Sequence, residues 1–566
     1  FMKKLKLFSI LFFGYTILTI IMTYPVVFRF SSHFMCDGGD GFQNVWNMWW
    51  MKKSLMAGTH PYYTNLLHYP DGITLLFQTL NPFNGLISIP FQFFFKMEEV
   101  YNLVVLFSFV MSGISMYYLA DYLLDRKLPA FVAGIVFTFC PFHFAHGLGH
   151  LQLIAMEWIP LYGLYLLKTY REDSKLNIIL TALFLVLNSL CSWYYMIYCF
   201  VFTAIFVIFY TAKCGKVIID NGFLKRLGMV ILIFYVVMSP ILMPMLYIKM
   251  TQNFTGEHNP EIWSADLESF FVPSGISTWG RRWFGGIWKD WTGNTAENSN
   301  YLGYIVLILS VYAVIKDRRC HLWAVAGFIF FVMALGPYLH VGGKQFSVPL
   351  PYLLFHRYMP FISFTGVPER FDIMLKLCMS VLVGYGITNL NEIILSACRN
   401  QMRSRSIKTI RRSTATVKIV FNGILAVLIG LEYLAVPYVT TKIEVPSFYR
   451  QMATDPENYG VIDIPSRPVT LYMATIHQKS LVGGYVSRPS LKALSFLDQT
   501  PIISTLMRGK PAPSSKPART LATSVFADFN IRYIITHNDQ HLQFLEDILQ
   551  LPVVRRADGI TVYDCH

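Results

Sequence analysis

Eleven times along this chain an apolar run of roughly twenty residues is closed by a polar segment, a length that spans the bilayer's hydrocarbon core as helix. The runs cover about 7–28, 101–122, 128–147, 152–169, 176–193, 195–212, 228–248, 301–316, 322–338, 370–390 and 417–437. Pro90 interrupts a shorter apolar piece, 83–95, which reads as re-entrant or interfacial. Only 14% of the residues are charged, against roughly 25% in soluble domains. The pattern predicts an α-helical polytopic membrane protein with about 11 transmembrane helices.

The basic residues fix an orientation. Lys3, Lys4 and Lys6 precede the first run, which has no small-residue cleavage site after it and reads as a retained anchor with a cytoplasmic N-terminus. Phe1 precedes a natural-looking start at Met2. Alternating from there, each cytoplasmic loop is basic: Arg126/Lys127, Lys168/Arg171/Lys175, Lys213/Lys216/Lys225/Arg226, Lys316/Arg318/Arg319, and Arg399 through Lys418. The net charge of +14 is thus a topology signal and not a nucleic-acid footprint. The nine cysteines show no metal-ligand spacing; Cys36 and Cys565 both fall outside the spans, where a bond between them is possible.

The other side carries the polar investment. Residues 1–438 form the transmembrane domain, with long outer loops at 29–100, 249–300 and 339–369. Residues 439–566 read as an extracytoplasmic α/β domain, from the strand-like YGVIDIP, SLVGGYVS, IRYIITH and LPVVRRADGITVYD and the helical HLQFLEDILQ. RGKPAPSSKPAR inside it reads as a flexible loop. No internal repeat is visible. Asn253 opens a glycosylation sequon in an outer loop.

The first outer loop begins CDGGDGFQNVWNMWW, Cys36 to Trp50. Gly38 and Gly39 permit a sharp turn, and Asp40 with Gln43 makes a capping-box pattern at a helix start. Phe42, Trp46, Trp49 and Lys53 share a face, which predicts a helix lying on the membrane surface with a tryptophan belt. Asp40 is then either a cap or a general base for a hydroxyl, and the two roles are compatible.

This arrangement resembles the GT-C superfamily of membrane glycosyltransferases: an N-terminal span, an acid-bearing first outer loop with a surface helix, many spans and an outer C-terminal domain. The motifs CDGGD with NVWNMWW, HYPDG at 68–72, AHGLGHLQL at 145–153 and RYMPFISFTGVPERF at 357–371 are similar to an uncharacterised bacterial, YfhO-like branch. The resemblance implies a catalytic acid in the first outer loop, here Asp40 with Asp37 second; two glycines separate the pair where many members have adjacent acids. It also implies a polyprenyl-phosphate-linked sugar donor, a glycan, lipid or protein acceptor, single displacement at the anomeric carbon, a bound divalent cation in only some members, and residence in the inner or plasma membrane.

Other outer residues are candidates for substrate. His143, His146 and His150, with Glu157, could contact substrate or phosphate, bind a metal, or bond structurally; the spacing is not that of a zinc helix. Trp283, Trp288, Trp291 and Glu297, interleaved with Arg281, Arg282, Lys289 and Asp290, suit a sugar or an interface belt equally. His340, Lys344, His356, Arg357, Glu369 and Arg370 crowd the third loop. Arginine forks suit phosphate, which assigns Arg357 and Arg370, with Lys344, to the donor's leaving group, unless each arginine pairs with an acid such as Glu369. Asp372 and Lys376 stand one turn apart and can pair. Tyr194 and Tyr195 could line a cavity. Two rivals remain: a scaffold subunit without chemistry, and a transporter or flippase, for which Glu432 in the last span is the feature to watch.

Overall fold

A computed structural model describes residues 2–214, 222–256, 258–359, 366–401, 407–511, 515–538 and 541–566. Lys216, residues 360–365 of the RYMPFISFTGVPERF stretch, 402–406 of the basic loop and 512–514 of RGKPAPSSKPAR lie outside them, as do the side chains of 398–413. The protein is a multi-pass membrane protein built mainly of helices. Six of the described helices are long and apolar enough to cross a bilayer: Met2–Met22, Met97–Leu124, Trp193–Lys213, Phe223–Thr251, Pro368–Ala397 and Thr414–Glu432. Shorter apolar helices cover the remaining runs, among them Lys127–Thr138, Lys175–Cys191 and Tyr304–Lys316.

Prolines explain why two runs are not single helices. The 128–147 run stops as Lys127–Thr138 and resumes as Pro141–His146. The 152–169 run gives one turn, Leu151–Ile154, and then Ile159–Arg171 with Pro160 in its first turn. Proline lacks the N–H that would continue a helix but suits a first turn, so each run restarts at its proline. The piece at 83–95 becomes the short helix Pro82–Ser88 and a single turn, Phe91–Phe93, on either side of Pro90.

The chain divides into two compact units. Unit 1 comprises Phe1–Phe30, Asn102–Met238 and His258–Val439; unit 2 comprises Ser31–Tyr101, Ser239–Glu257 and Thr440–His566. Within unit 1, Asp372 and Lys376 do pair, at 3.4 Å, and the lysine also donates to the Tyr301 carbonyl at 2.9 Å. Glu432, the acid that would have marked a transporter, is a helix cap. It accepts the Tyr301 hydroxyl at 2.8 Å and the Tyr304 and Ile305 N–H groups at 2.5 and 3.2 Å, satisfying the first turn of Tyr304–Lys316.

Unit 2 holds a five-stranded sheet of β1 (Gly460–Ile464), β2 (Ser480–Leu481), β3 (Ile531–Thr536), β4 (Val553–Ala557) and β5 (Ile560–Asp564), in the order β2-β1-β3-β5-β4. The first three are parallel and the hairpin is antiparallel. Its core is Ile462, Ile464, Ile531, Ile534, Phe526 and Tyr563. The second half of RGKPAPSSKPAR is not loop: Ser515–Asp528 is helical, with alanines and polar residues that favour helix once the chain is past Pro511 and Pro513. HYPDG forms a tight return whose His68 and Tyr69 N–H groups donate to Gly483 and Leu481. Gly72 there has φ +71°, and a Cβ would meet the Thr64 carbonyl at 2.7 Å, so glycine is required. Cys36 and Cys565 are both free thiols, so the possible bond between them is not made.

Burial in unit 2 sets an acid limit. Desolvation, opposed by Asp463 and reinforced by Lys479, lowers the His477 pKa to about 4, and desolvation with Arg508 does the same for His68. Both imidazoles are neutral in the fold, whereas the unfolded chain takes up protons near pH 6.5. Stability is therefore full above about pH 6.5 and falls as pH drops toward about 4, by at most ~3 kcal/mol per histidine. Hydrogen exchange of β1 and the Pro468–His477 helix should accelerate over that interval, and His477→Asn should flatten the slope. An unchanged slope would remove His477 from the account.

Candidate functional site

Two clusters of sequence-selected residues emerge, one in each unit. In unit 2 the chain turns at Gly38, with φ +90°, and enters the helix Gly41–Met56. The helix starts where the sequence places it, but the capping box does not form. Asp40 has helical backbone angles and its side chain caps nothing. Its Oδ1 instead accepts the Tyr485 hydroxyl at 3.0 Å. Gln43 turns the same way: its amide donates to the Tyr485 carbonyl at 3.1 Å, and its oxygen accepts from Thr79 at 3.2 Å. Burial and then the Asp40 carboxylate push the Tyr485 pKa up to about 12, so Tyr485 stays a donor near neutrality. Asp40 is half-buried; Asp37 is exposed and accepts the Gly39 N–H at 2.9 Å.

The predicted tryptophan belt is also corrected. Trp46 is fully buried and stacks on Trp50 at 5.7 Å, while Phe34, Phe42 and Tyr472 pack edge and face around the helix start. Gln43, Asn44 and Asn47 are buried as well. Protein, not lipid, covers this helix. The acid therefore stands on a rigid, packed element, which suits a group whose carboxylate must point in one direction.

In unit 1 the break between Pro141 and Pro160 creates a buried turn. Gly147 lets it form: a Cβ there would meet the Tyr438 hydroxyl at 2.5 Å. His146 and His150 face each other on this turn, Nδ1 to Nδ1, at 2.8 Å. From the long loop comes Glu297, its N–H held by Asn294 at 2.8 Å. From the turn Pro368–Phe371 comes Arg370, whose Nε lies 3.1 and 3.2 Å from the two Glu297 oxygens, and whose Nη2 donates to Oε1. His146 Nε2 is 3.9 Å from Glu297 Oε2, and the guanidinium lies 4.8 Å from the Tyr194 ring centre. Glu369 is buried beside Glu297. Burial alone would raise Glu297; Arg370 and then His146 outweigh it and hold the carboxyl well below the usual range.

So Arg370 pairs with an acid, and the acid is Glu297, 73 residues away, not its neighbour Glu369. The rest of the sequence-selected set lies apart. His143 bonds the Thr138 carbonyl at 2.7 Å and stacks on Phe109; Glu157 accepts from Ser108 at 2.8 Å. Trp283 is exposed and stacked on Trp279, Trp288 donates to the Gly280 carbonyl, and Trp291 reaches Glu268 at 3.4 Å. Arg357 and Lys344 are exposed, on the helix Tyr352–Tyr358 and the strand Lys344–Pro349. The sequence named Glu297 for the wrong company: it shared a loop with tryptophans and turned out to join the histidines.

His146, His150 and Glu297 place one ligand atom each within 4.8 Å of one another and are candidate holders of a cation. The chemistry of the set argues against it as arranged. Arg370 already occupies both Glu297 oxygens, and a divalent ion would sit against a guanidinium.

Residues 11–363 match a family model described as a domain of unknown function, DUF6311. No curated protein matches the chain by sequence. Among solved structures, the Archaeoglobus fulgidus oligosaccharyltransferase tethered with an NVT-sequon acceptor peptide has a TM-score of 0.51 at 11% identity, covering 95% of this chain and 69% of its own. ArnT from Cupriavidus metallidurans in the apo state has a TM-score of 0.51 at 12% identity, covering 100% and 98%. The mycobacterial arabinofuranosyltransferase AftD has a TM-score of 0.56 at 11% identity, covering 99% of this chain and 40% of its own. The shared property is the fold, that of GT-C glycosyltransferases.

Proposed function

The chain belongs to the DUF6311 family, and from that premise and its GT-C fold we propose that it is a membrane glycosyltransferase. It moves a sugar from a polyprenyl-phosphate-linked donor to an acceptor hydroxyl on the extracytoplasmic side of the inner or plasma membrane. The YfhO-like motifs point to a bacterial source. The observation that carries the reading is Asp40: a half-buried carboxylate on a packed helix, held at one oxygen by a tyrosine. In the proposed step Asp40 takes the proton of the acceptor hydroxyl as that oxygen bonds to the anomeric carbon. The bond from that carbon to the donor phosphate breaks, and the electron pair leaves with the phosphate. The anomeric centre inverts.

A departing phosphate needs cations. Arg357 and Lys344, both exposed, are proposed for it on their charge. Arg370 is neutralised by Glu297 and is assigned to holding the buried turn that carries His146 and His150. Residues 1–438 form the catalytic membrane domain in this reading and 439–566 present the acceptor.

Membranes containing the protein, supplied with a panel of polyprenyl-phosphate sugars, should consume one donor and release the polyprenyl phosphate at a rate well above membranes lacking it. If no donor in a panel of hexose, pentose and amino-sugar carriers is consumed, the enzymatic reading fails and the scaffold reading replaces it.

A further inference from the structure

At the other end of unit 1, where the charge rule assigns the basic loops to the cytoplasm, lies a cavity of about 480 Å³. It opens between the ends of the helices Lys127–Thr138, Asp372–Gln401 and Ile407–Glu432. Its charged lining is Arg126, Lys127 and Lys418 against a single acid, Glu392. Arg126 stands 3.8 Å from Glu392 and 3.9 Å from Asp125, both beyond hydrogen-bond reach, and all three side chains keep about half their surface or more in solvent, so these acids offset little of the charge. Thr388 and Asn391 add neutral polar groups at the wall. Asn391 is buried and exchanges amide hydrogen bonds with Asn422, at 3.1 and 3.4 Å.

We infer that this recess is a binding site for a phosphate ester, supplied by the headgroup of an anionic phospholipid of the inner leaflet. Three cations lining one recess match a phosphate's charge and its several acceptor oxygens. Leu128, Pro129 and Leu395 give the same cavity apolar wall, which suits a glycerol backbone better than a free ion. Basic pockets between transmembrane helices on the cytoplasmic side hold anionic headgroups by this combination. The inference does not depend on the proposed glycosyl transfer.

The test uses the purified full-length chain in detergent and native mass spectrometry of retained lipid. Phosphatidylglycerol should be retained roughly tenfold over phosphatidylcholine, a preference lost in K127Q/K418Q but kept in K175Q/K316Q, which removes two lysines from other loops on the same side. Thermal midpoints of the two variants compared with wild type show whether each is folded. If millimolar inorganic phosphate binds the same lysines while phosphatidylglycerol shows no preference, the site stands and its occupant is a free anion. Equal retention of the two lipids without phosphate binding, or equal losses in both double variants, overturns the site.

Discussion

Asp40→Asn should lower sugar transfer by about 10² to 10⁴ while leaving the protein folded, the range a positioned general base contributes. The substitution is nearly isosteric. An asparagine oxygen still accepts the Tyr485 hydroxyl, so the contact seen at 3.0 Å survives and only the ability to take a proton is removed. The loss should fall on kcat, because the proton moves in the transition state and donor binding is untouched. Tyr485→Phe keeps the base and removes only this contact, and should cost less than Asp40→Asn. Asp37→Asn should be close to wild type, since Asp37 is exposed and serves the Gly38–Gly39 turn through the Gly39 N–H. If Asp37→Asn is the dead variant and Asp40→Asn is active, the two roles are exchanged. If both variants transfer normally, neither carboxylate is the base and the mechanism fails, whatever the fold.

What could be read from the sequence was decided by local forces. The helices were legible because apolar runs and basic loops act residue by residue, and the sheet of unit 2 was legible from YGVIDIP and IRYIITH for the same reason. What failed was long-range. Trp46 and Trp49 looked like an interface belt because a periodic apolar face does not say whether lipid or protein covers it; here protein covers Trp46 wholly and Trp49 in part. Asp40 looked like a cap because Gln43 follows at the right spacing, yet both side chains turn to Tyr485, more than 400 positions later. Ser515–Arg519 looked like loop because prolines precede it and one lies inside it, though a proline in a first helical turn is tolerated. His146, His150, Glu297 and Arg370 were all singled out, in three different groups. Only the broken spans at Pro141 and Pro160 hint in sequence that the histidine turn is buried.

The second large effect concerns that buried pair. Glu297→Leu should destabilise the protein by about 3–5 kcal/mol, because it leaves the Arg370 charge buried without its partner. The pair itself is not a source of comparable stability. Its attraction at close range is on the order of 5 kcal/mol in an effective protein dielectric, and desolvating two ions costs several kcal/mol each. Hence E297L/R370M should recover most of the loss, although it deletes three hydrogen bonds. Glu369 complicates the single variant in a useful way. It is buried against Glu297 and is the acid placed to take over Arg370, so E297L/E369L should be less stable than the sum of its parts. Thermal unfolding in one detergent at one pH, of wild type, E297L, E369L and the two double variants, separates these cases. If E297L melts with wild type, Arg370 has found another counter-ion and the geometry of the pair is not what holds the histidine turn. If E297L/R370M is stable but no longer transfers sugar, the ion pair is retained for the shape it imposes on His146 and His150. If that double variant is both stable and active, the buried charges are replaceable by packing, and the chemistry does not depend on them.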